Sequence, residues 1–185
     1  MNNKKLLFKF FIVLAIIQLA VPLYMVWHWE DVLQTGKQYT WVTAPVDPYD
    51  ALRGRYIDLR FKEMTGPIIG NAQLNSGQTA YAMIAEDQKG YAFISGISVV
   101  PPGADSYVKI KVSYVQDGNI AHFVLPFKRY YMQEDLAPIA EQAYGKSAGK
   151  EATVLVRVKD GYGAVEELYI GDQTIYDYLR TSYYK

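Results

Sequence analysis

The sequence contains no cysteine. That absence excludes thiol catalysis, structural disulfides, cysteine-ligated zinc and iron–sulfur clusters together, and it is compatible with an exported domain. Histidine is nearly absent too. His28 and His122 are the only two, so a histidine metal site in the body of the chain lacks a second ligand. Neither sign of charge prevails: 19 basic residues balance 19 acidic ones. A balanced chain has no excess of cations to displace counterions from phosphates, so no nucleic-acid partner is expected. No serine sits in a nucleophile-elbow setting, and no Ser–Lys arrangement follows the N-terminal segment. An enzyme built from this chain would rely on carboxylates, arginines and tyrosines alone, and no cofactor or metal is expected.

What the chain does have begins at its N-terminus. Phe10 to Trp29 is a run of twenty residues without Lys, Arg, Asp or Glu. As a helix it spans about 30 Å, one hydrocarbon core. Lys4, Lys5 and Lys9 precede the run, while Glu30 and Asp31 follow it. The positive-inside rule then gives residues 1–9 as a cytoplasmic N-terminus, 10–29 as a transmembrane anchor, 30–36 as a connector and 37–185 as an extracytoplasmic domain. Trp27 and Trp29 fall where an interfacial aromatic belt belongs. A cleaved signal peptide is the competing reading. Bulky Tyr24, Met25, Val26 and Trp27 occupy the place where a cleavage site needs small residues, which favours an uncleaved anchor. His28 reads as an interfacial polar residue.

Beyond the connector the pattern changes to a period of two, and turn signals recur at short spacing. Strands are expected over residues 38–43, from Arg55 to Phe61, and over 79–86, 91–100, 107–116, 120–125, 153–159 and 164–170. Asp87-Gln88-Lys89-Gly90, Asp117-Gly118 and Asp160-Gly161-Tyr162-Gly163 read as hairpin turns. Between Arg55 and Lys62, Ile57, Leu59 and Phe61 fall on one face and Tyr56, Asp58, Arg60 and Lys62 on the other. Asp50 is a good N-cap for one helical turn over Ala51-Leu52-Arg53, with Gly54 to end it. Residues 64–77 read as a loop. Glu134 to Tyr144 reads as a short helix starting near Asp135, with Pro138 in its first turn and Gly145 at its end. The tyrosine-rich tail from Asp172 is a candidate for a further short helix. The fold class is therefore mainly β: an N-terminal transmembrane helix followed by a β-sandwich or barrel-like domain with one short helix.

The most distinctive stretch runs from Ala44-Pro45-Val46-Asp47-Pro48-Tyr49-Asp50 through Leu52-Arg53-Gly54-Arg55-Tyr56-Ile57-Asp58-Leu59-Arg60-Phe61. Following an N-terminal anchor, it resembles the GDYXXLXY family of bacterial membrane-anchored proteins. Gly54, Tyr56 and Leu59 match the motif of that name, while Arg55 stands where the motif has Asp and Phe61 where it has its final Tyr. Leu125-Pro126-Phe127-Lys128-Arg129-Tyr130-Tyr131 resembles the second signature of the family. The resemblance implies a bacterial envelope protein associated with multi-pass membrane proteins, and it implies no particular activity. Arg55 counts against essential chemistry by the carboxylate it replaces, since a catalytic acid would not survive inversion of its charge.

Two groups of residues are candidates for a structural or binding site. Asp47 and Asp50, with Arg53 and Arg55 nearby and Gly54 and Tyr56 adjoining, suit either a small polar site at a strand-to-turn junction, binding a cation or an anionic headgroup, or plain turn capping by the Asp residues with local ion pairing by the arginines. Arg129, Tyr130 and Tyr131 suit either a recognition patch or a staple in which a buried Arg129 meets Asp47 or Asp50 and joins the two signatures. Three functions follow. The favoured one is an accessory or interaction protein for an envelope or multi-pass membrane partner. The others are a carboxylate-dependent hydrolase or transferase, and a small-ligand-binding sensor domain.

Overall fold

The computed structural model describes residues 2–45, 56–62, 64–70, 73–103 and 106–183. It opens with one long helix, α1 (Asn2–Thr35). From Leu6 to Trp27 its large apolar side chains are exposed all round, the pattern of a helix made for lipid rather than for a protein core. It is long and apolar enough to cross a membrane. The stretch expected to be a connector is helical through Thr35. Gln34 donates to Glu30 Oε1 at 2.7 Å, one turn back, and the Thr35 hydroxyl donates to the Asp31 carbonyl at 2.8 Å. Val32 is fully buried, so the last turns of the helix belong to the packed domain. Gly36 ends the helix by donating its N–H to Val32 O at 2.9 Å. A Cβ at that position would run into the same carbonyl oxygen. The next residue already begins β1 (Lys37–Val42).

The body of the protein is built mostly of strands. Five of them form one antiparallel sheet in the order β3-β7-β6-β4-β5, comprising β3 (Thr65–Pro67), β4 (Thr79–Glu86), β5 (Ala92–Ser98), β6 (Tyr107–Gln116) and β7 (Ile120–Val124). Its two edges meet again through a bridge between Ile68 and Ile97, where Ile69 N–H donates to Ile97 O at 2.9 Å. The sheet is thus a nearly closed barrel, which removes the free edges that would invite pairing with other chains. Its inward residues are small or β-branched: Ala80, Ala82, Ile84, Val108, Ile110 and Val112 are all buried. The hairpin at Asp117-Gly118 has φ of 52° and 73°, the left-handed pair that a two-residue turn between twisted strands requires. At the preceding turn, Asp87 Oδ1 accepts from the N–H groups of Lys89 and Tyr91 at 2.8 and 2.9 Å. The segment 64–77, expected to be a loop, supplies β3. Three residues with Gly at the centre and Pro at the end are too short and too punctuated to register as a strand, yet they pair with His122, Ala121 and Ile120.

A second antiparallel sheet runs in the order β1-β9-β10-β11, with β9 (Ala152–Lys159), β10 (Tyr162–Ile170) and β11 (Gln173–Thr174). Bridges Thr40–Tyr91 and Val108–Gly161 join it to the barrel. A two-stranded pair, β2 (Tyr56–Asp58) with β8 (Arg129–Tyr131), lies beside it. The expected strand to Phe61 is therefore broken: after Asp58 the ladder stops, and Phe61 bridges to Thr43 instead. Its facial pattern holds nonetheless, since Ile57, Leu59 and Phe61 are all buried. Helix α2 (Ala137–Ser147) begins two residues after Asp135, with Pro138 in its first turn as expected. It runs through Gly145; the left-handed glycine is Gly149, at φ 78°. Helix α3 (Ile175–Tyr183) completes the described chain. Tyr39 and Trp41 of β1, Val154 and Val156 of β9, Leu168 of β10 and Leu179 of α3 lie in one buried cluster with the barrel interior.

Candidate functional site

The two signature segments meet in space as the β2–β8 pair. Tyr56 stands opposite Tyr131, Ile57 opposite Tyr130 and Asp58 opposite Arg129. Alternation along this short ladder sorts the residues. Ile57 and Tyr130 turn into the core, at 0% and 7% exposure, while Tyr56, Arg129 and Tyr131 face outward. The Tyr56 and Tyr131 rings pack at 5.8 Å, and the Arg129 guanidinium lies 4.5 Å over the Tyr56 ring, a cation–π contact. A hydrogen bond with Tyr131, followed by the nearby Tyr56, raises the Arg129 pKa further above its ordinary value. The expected staple through a buried Arg129 is thus corrected: Arg129 is an exposed cation on an aromatic platform. Asp47, Asp50, Arg53 and Gly54, and with them the carboxylate half of that staple, lie outside the described residues, as does Arg55.

Tyr130 joins the β2–β8 pair to the second sheet. Its hydroxyl donates to Glu167 Oε1 at 2.6 Å, and the same oxygen accepts from Leu168 N–H at 3.0 Å. Burial, then the bond to Glu167, pushes the Tyr130 hydroxyl well above the usual phenol range. Glu167 is free to reach β8 because β10 carries a bulge between Val165 and Glu167. The extra residue turns two successive glutamates to different tasks. Glu166 takes a two-pronged ion pair from Arg157, at 2.6 and 3.1 Å, and a bond from Gln38 Nε2 at 3.1 Å. Arg157, then Gln38, holds its carboxyl below the ordinary value.

Arg157 also reaches the helix, donating from Nη1 to Gly36 O at 3.1 Å. Beside it Lys159 Nζ pairs with Asp31 at 2.6 Å and with Thr35 Oγ1 at 2.7 Å. One turn earlier, the His28 ring meets Tyr162 edge-on at 4.6 Å, and Trp29 meets the same ring at 6.1 Å. These contacts fix the end of α1 to the second sheet.

Between the end of α1, the segment 126–131 and β10, an open groove of about 730 Å³ is lined by Trp29, Lys128, Arg129, Tyr131, Gly163 and Glu166, among others. Gly163 is required there, because a Cβ would strike the Phe127 ring. That ring is locked against Trp41 and Phe61 at 5.6 and 5.5 Å. Glu166, the one carboxylate lining the groove among the described residues, is already paired with Arg157. Among the described residues no group of three His, Asp or Glu side chains could hold a metal ion. His122 is a half-buried strand residue, stacked on Tyr114 at 4.0 Å and bonded to Gln116 Oε1 at 3.0 Å. Among the described residues the arrangement offers cations and aromatic faces, the means of recognition. Sequence reasoning missed Trp29, Arg157, Glu166 and Glu167 as parts of this surface. The adjacent pair of glutamates inside an alternating strand is the one local signal that could have pointed to the bulge.

A family model described as GDYXXLXY protein matches residues 18–168, from the middle of α1 to the end of the Tyr130–Glu167 join. No curated protein and no solved structure matches the chain.

Proposed function

The chain belongs to the GDYXXLXY family, and from that premise we propose that it is a single-pass protein of a bacterial membrane, acting as an accessory to a multi-pass partner. Lys4, Lys5 and Lys9 stay in the cytoplasm, α1 crosses the bilayer, and the β domain lies on the extracytoplasmic side. The observation that carries this reading is the lack of slack between helix and domain. Gly36 is the single residue between α1 and β1, and Lys159–Asp31 and Arg157–Gly36 lock the two together. A domain held so tightly keeps its Tyr56–Arg129–Tyr131 platform beside Trp29, at the outer end of the span. A surface at that height meets proteins embedded in the same membrane in preference to soluble ones. Arg and Tyr, exposed and pre-organised by their neighbours, are the residue types that anchor such contacts. The test is affinity purification of the full-length protein from native membranes in mild detergent. A stoichiometric multi-pass protein should accompany it and be lost with Arg129→Ala or Tyr131→Ala. A protein that elutes alone overturns the proposal.

A further inference from the structure

Beside the aromatic platform lies a second hollow, of about 400 Å³, lined by Thr79, Lys109, Lys111, Val124, Pro126 and Lys128. Lys109 and Lys111 stand two apart on the outward face of β6, where Lys111 pairs with Val124 of β7 and with Thr79 of β4. Lys128 closes the hollow from the segment before β8. All three lysines are exposed, and among the described residues none is in an ion pair. Among the described residues no carboxylate lines the hollow. In a chain whose net charge is zero, three cations around one depression is a concentration of charge that an anion relieves. Its floor is apolar, with Ile110 and Leu125 buried and Val124 half exposed.

Its place in the fold narrows the kind of anion. Lys109 N–H donates to Gly161 O at 2.8 Å, and the residue after Gly161 is Tyr162, whose ring packs on His28 at the end of the apolar helix. Lys128 also lines the groove that contains Trp29. The hollow therefore sits near the last turn of the span and shares Pro126 and Lys128 with the groove that touches it. We infer that Lys109, Lys111 and Lys128 bind the phosphate of an anionic phospholipid headgroup, with the apolar floor taking the glycerol end. The inference rests on α1 spanning a bilayer, and it is independent of the protein partner proposed for the Tyr56–Arg129–Tyr131 platform. Lysine ammonium groups near the lipid surface act within a Debye length of about 8 Å at physiological salt, so the headgroups must be close for the site to fill.

The experiment uses full-length protein in mild detergent, mixed with equal amounts of phosphatidylglycerol and phosphatidylcholine, with retained lipids counted by native mass spectrometry. The wild type should retain about fivefold more phosphatidylglycerol, a preference three lysines near a headgroup can readily supply. The triple variant Lys109→Gln, Lys111→Gln, Lys128→Gln should lose it, and the corresponding triple Lys→Arg variant should keep it. Lys4, Lys5 and Lys9 flank the other end of the span, so their triple Gln variant is run beside it and should keep the preference. Equal retention of both lipids, loss only in the N-terminal variant, or full displacement by millimolar inorganic phosphate would overturn the inference. The last result would mark a site for free phosphate. Unchanged unfolding of the Gln variant establishes that it is folded; if it unfolds early, the Lys→Arg variant and the phosphate competition decide. A carbonate wash that releases the protein from membranes would sink the anchor reading and this site together. A retained partner with no lipid preference would sink this site alone.

Discussion

The Tyr130 hydroxyl and the Glu167 carboxylate meet at 2.6 Å across 37 residues of sequence, and this bond fastens the β2–β8 pair to the second sheet. Tyr130→Phe keeps the ring and deletes the donor, leaving a partly buried carboxylate with, among the described residues, the Leu168 N–H alone. The expected loss is about 1.5–3 kcal/mol, the range for a hydrogen bond to a charged group. Glu167→Gln keeps an acceptor and should lose less. Equilibrium unfolding in urea measures both. Equal stability of wild type and Tyr130→Phe would mean that the pair is held by packing alone.

A second prediction concerns the junction of helix and domain. The Lys159–Asp31 pair is about one-third exposed on each side, so solvent screens it and deleting it should cost little global stability. Its local effect should be larger. In the double variant Asp31→Ala, Lys159→Ala, amide hydrogen exchange over residues 30–36 should speed up severalfold while β9 and β10 stay protected. Exchange unchanged at the helix end would show that Val32 and Arg157 alone set the angle of the domain on its span.

Parts of the fold were legible in the residues because they are written locally. The alternation of Ile57, Leu59 and Phe61 states a buried face whatever ladder carries it. Asp117-Gly118 states its turn because both residues must adopt positive φ, at 52° and 73°; of the turn read over Asp160 to Gly163, Asp160 and Gly161 turn, at 50° and 84°, while Tyr162 and Gly163 already belong to β10. What was hidden depends on distant partners. Glu30 and Asp31 looked like the end of a helix, yet Asp31 is held by Lys159, 128 residues away. The break after Asp58 is dictated by β8 and by Thr43, and β3 exists only because β7 pairs with it. The surface around Trp29 was illegible for the same reason: the end of α1, β8 and β10 are brought together by the fold, not by any pattern within one of them.

Gly163 yields a third prediction, on packing. A Cβ there meets the Phe127 ring, which has no room to retreat between Trp41 and Phe61. Gly163→Ala should therefore cost about 1–3 kcal/mol, the usual penalty of overpacking a filled core. Adding Phe127→Leu should recover part of the loss by freeing space. Thermal unfolding of the two variants and their combination tests this, and strict additivity of the two losses would exclude the proposed contact.

The fourth prediction is a pH dependence with a definite sign. Arg157, then Gln38, lowers the Glu166 carboxyl below its ordinary value of 4.5. Above that value Glu166 is ionised in both folded and unfolded chains, and the ion pair contributes in full. As pH falls below it, the unfolded chain takes up the proton first, so stability declines until the lower folded value is passed and the contribution is gone. Other carboxylates titrate in the same window, so the informative quantity is a difference. The stability gap between wild type and Glu166→Gln should be widest at neutral pH and should close as pH drops through 4.5 toward the lower folded value. Because Arg157 also holds Gly36 O, the same protonation should loosen the end of α1, and protection of residues 30–36, taken relative to the intrinsic exchange rate at each pH, should fall over the same pH interval. A gap independent of pH would mean that Arg157 stabilises through Gly36 and its own packing, with Glu166 contributing no charge-dependent part.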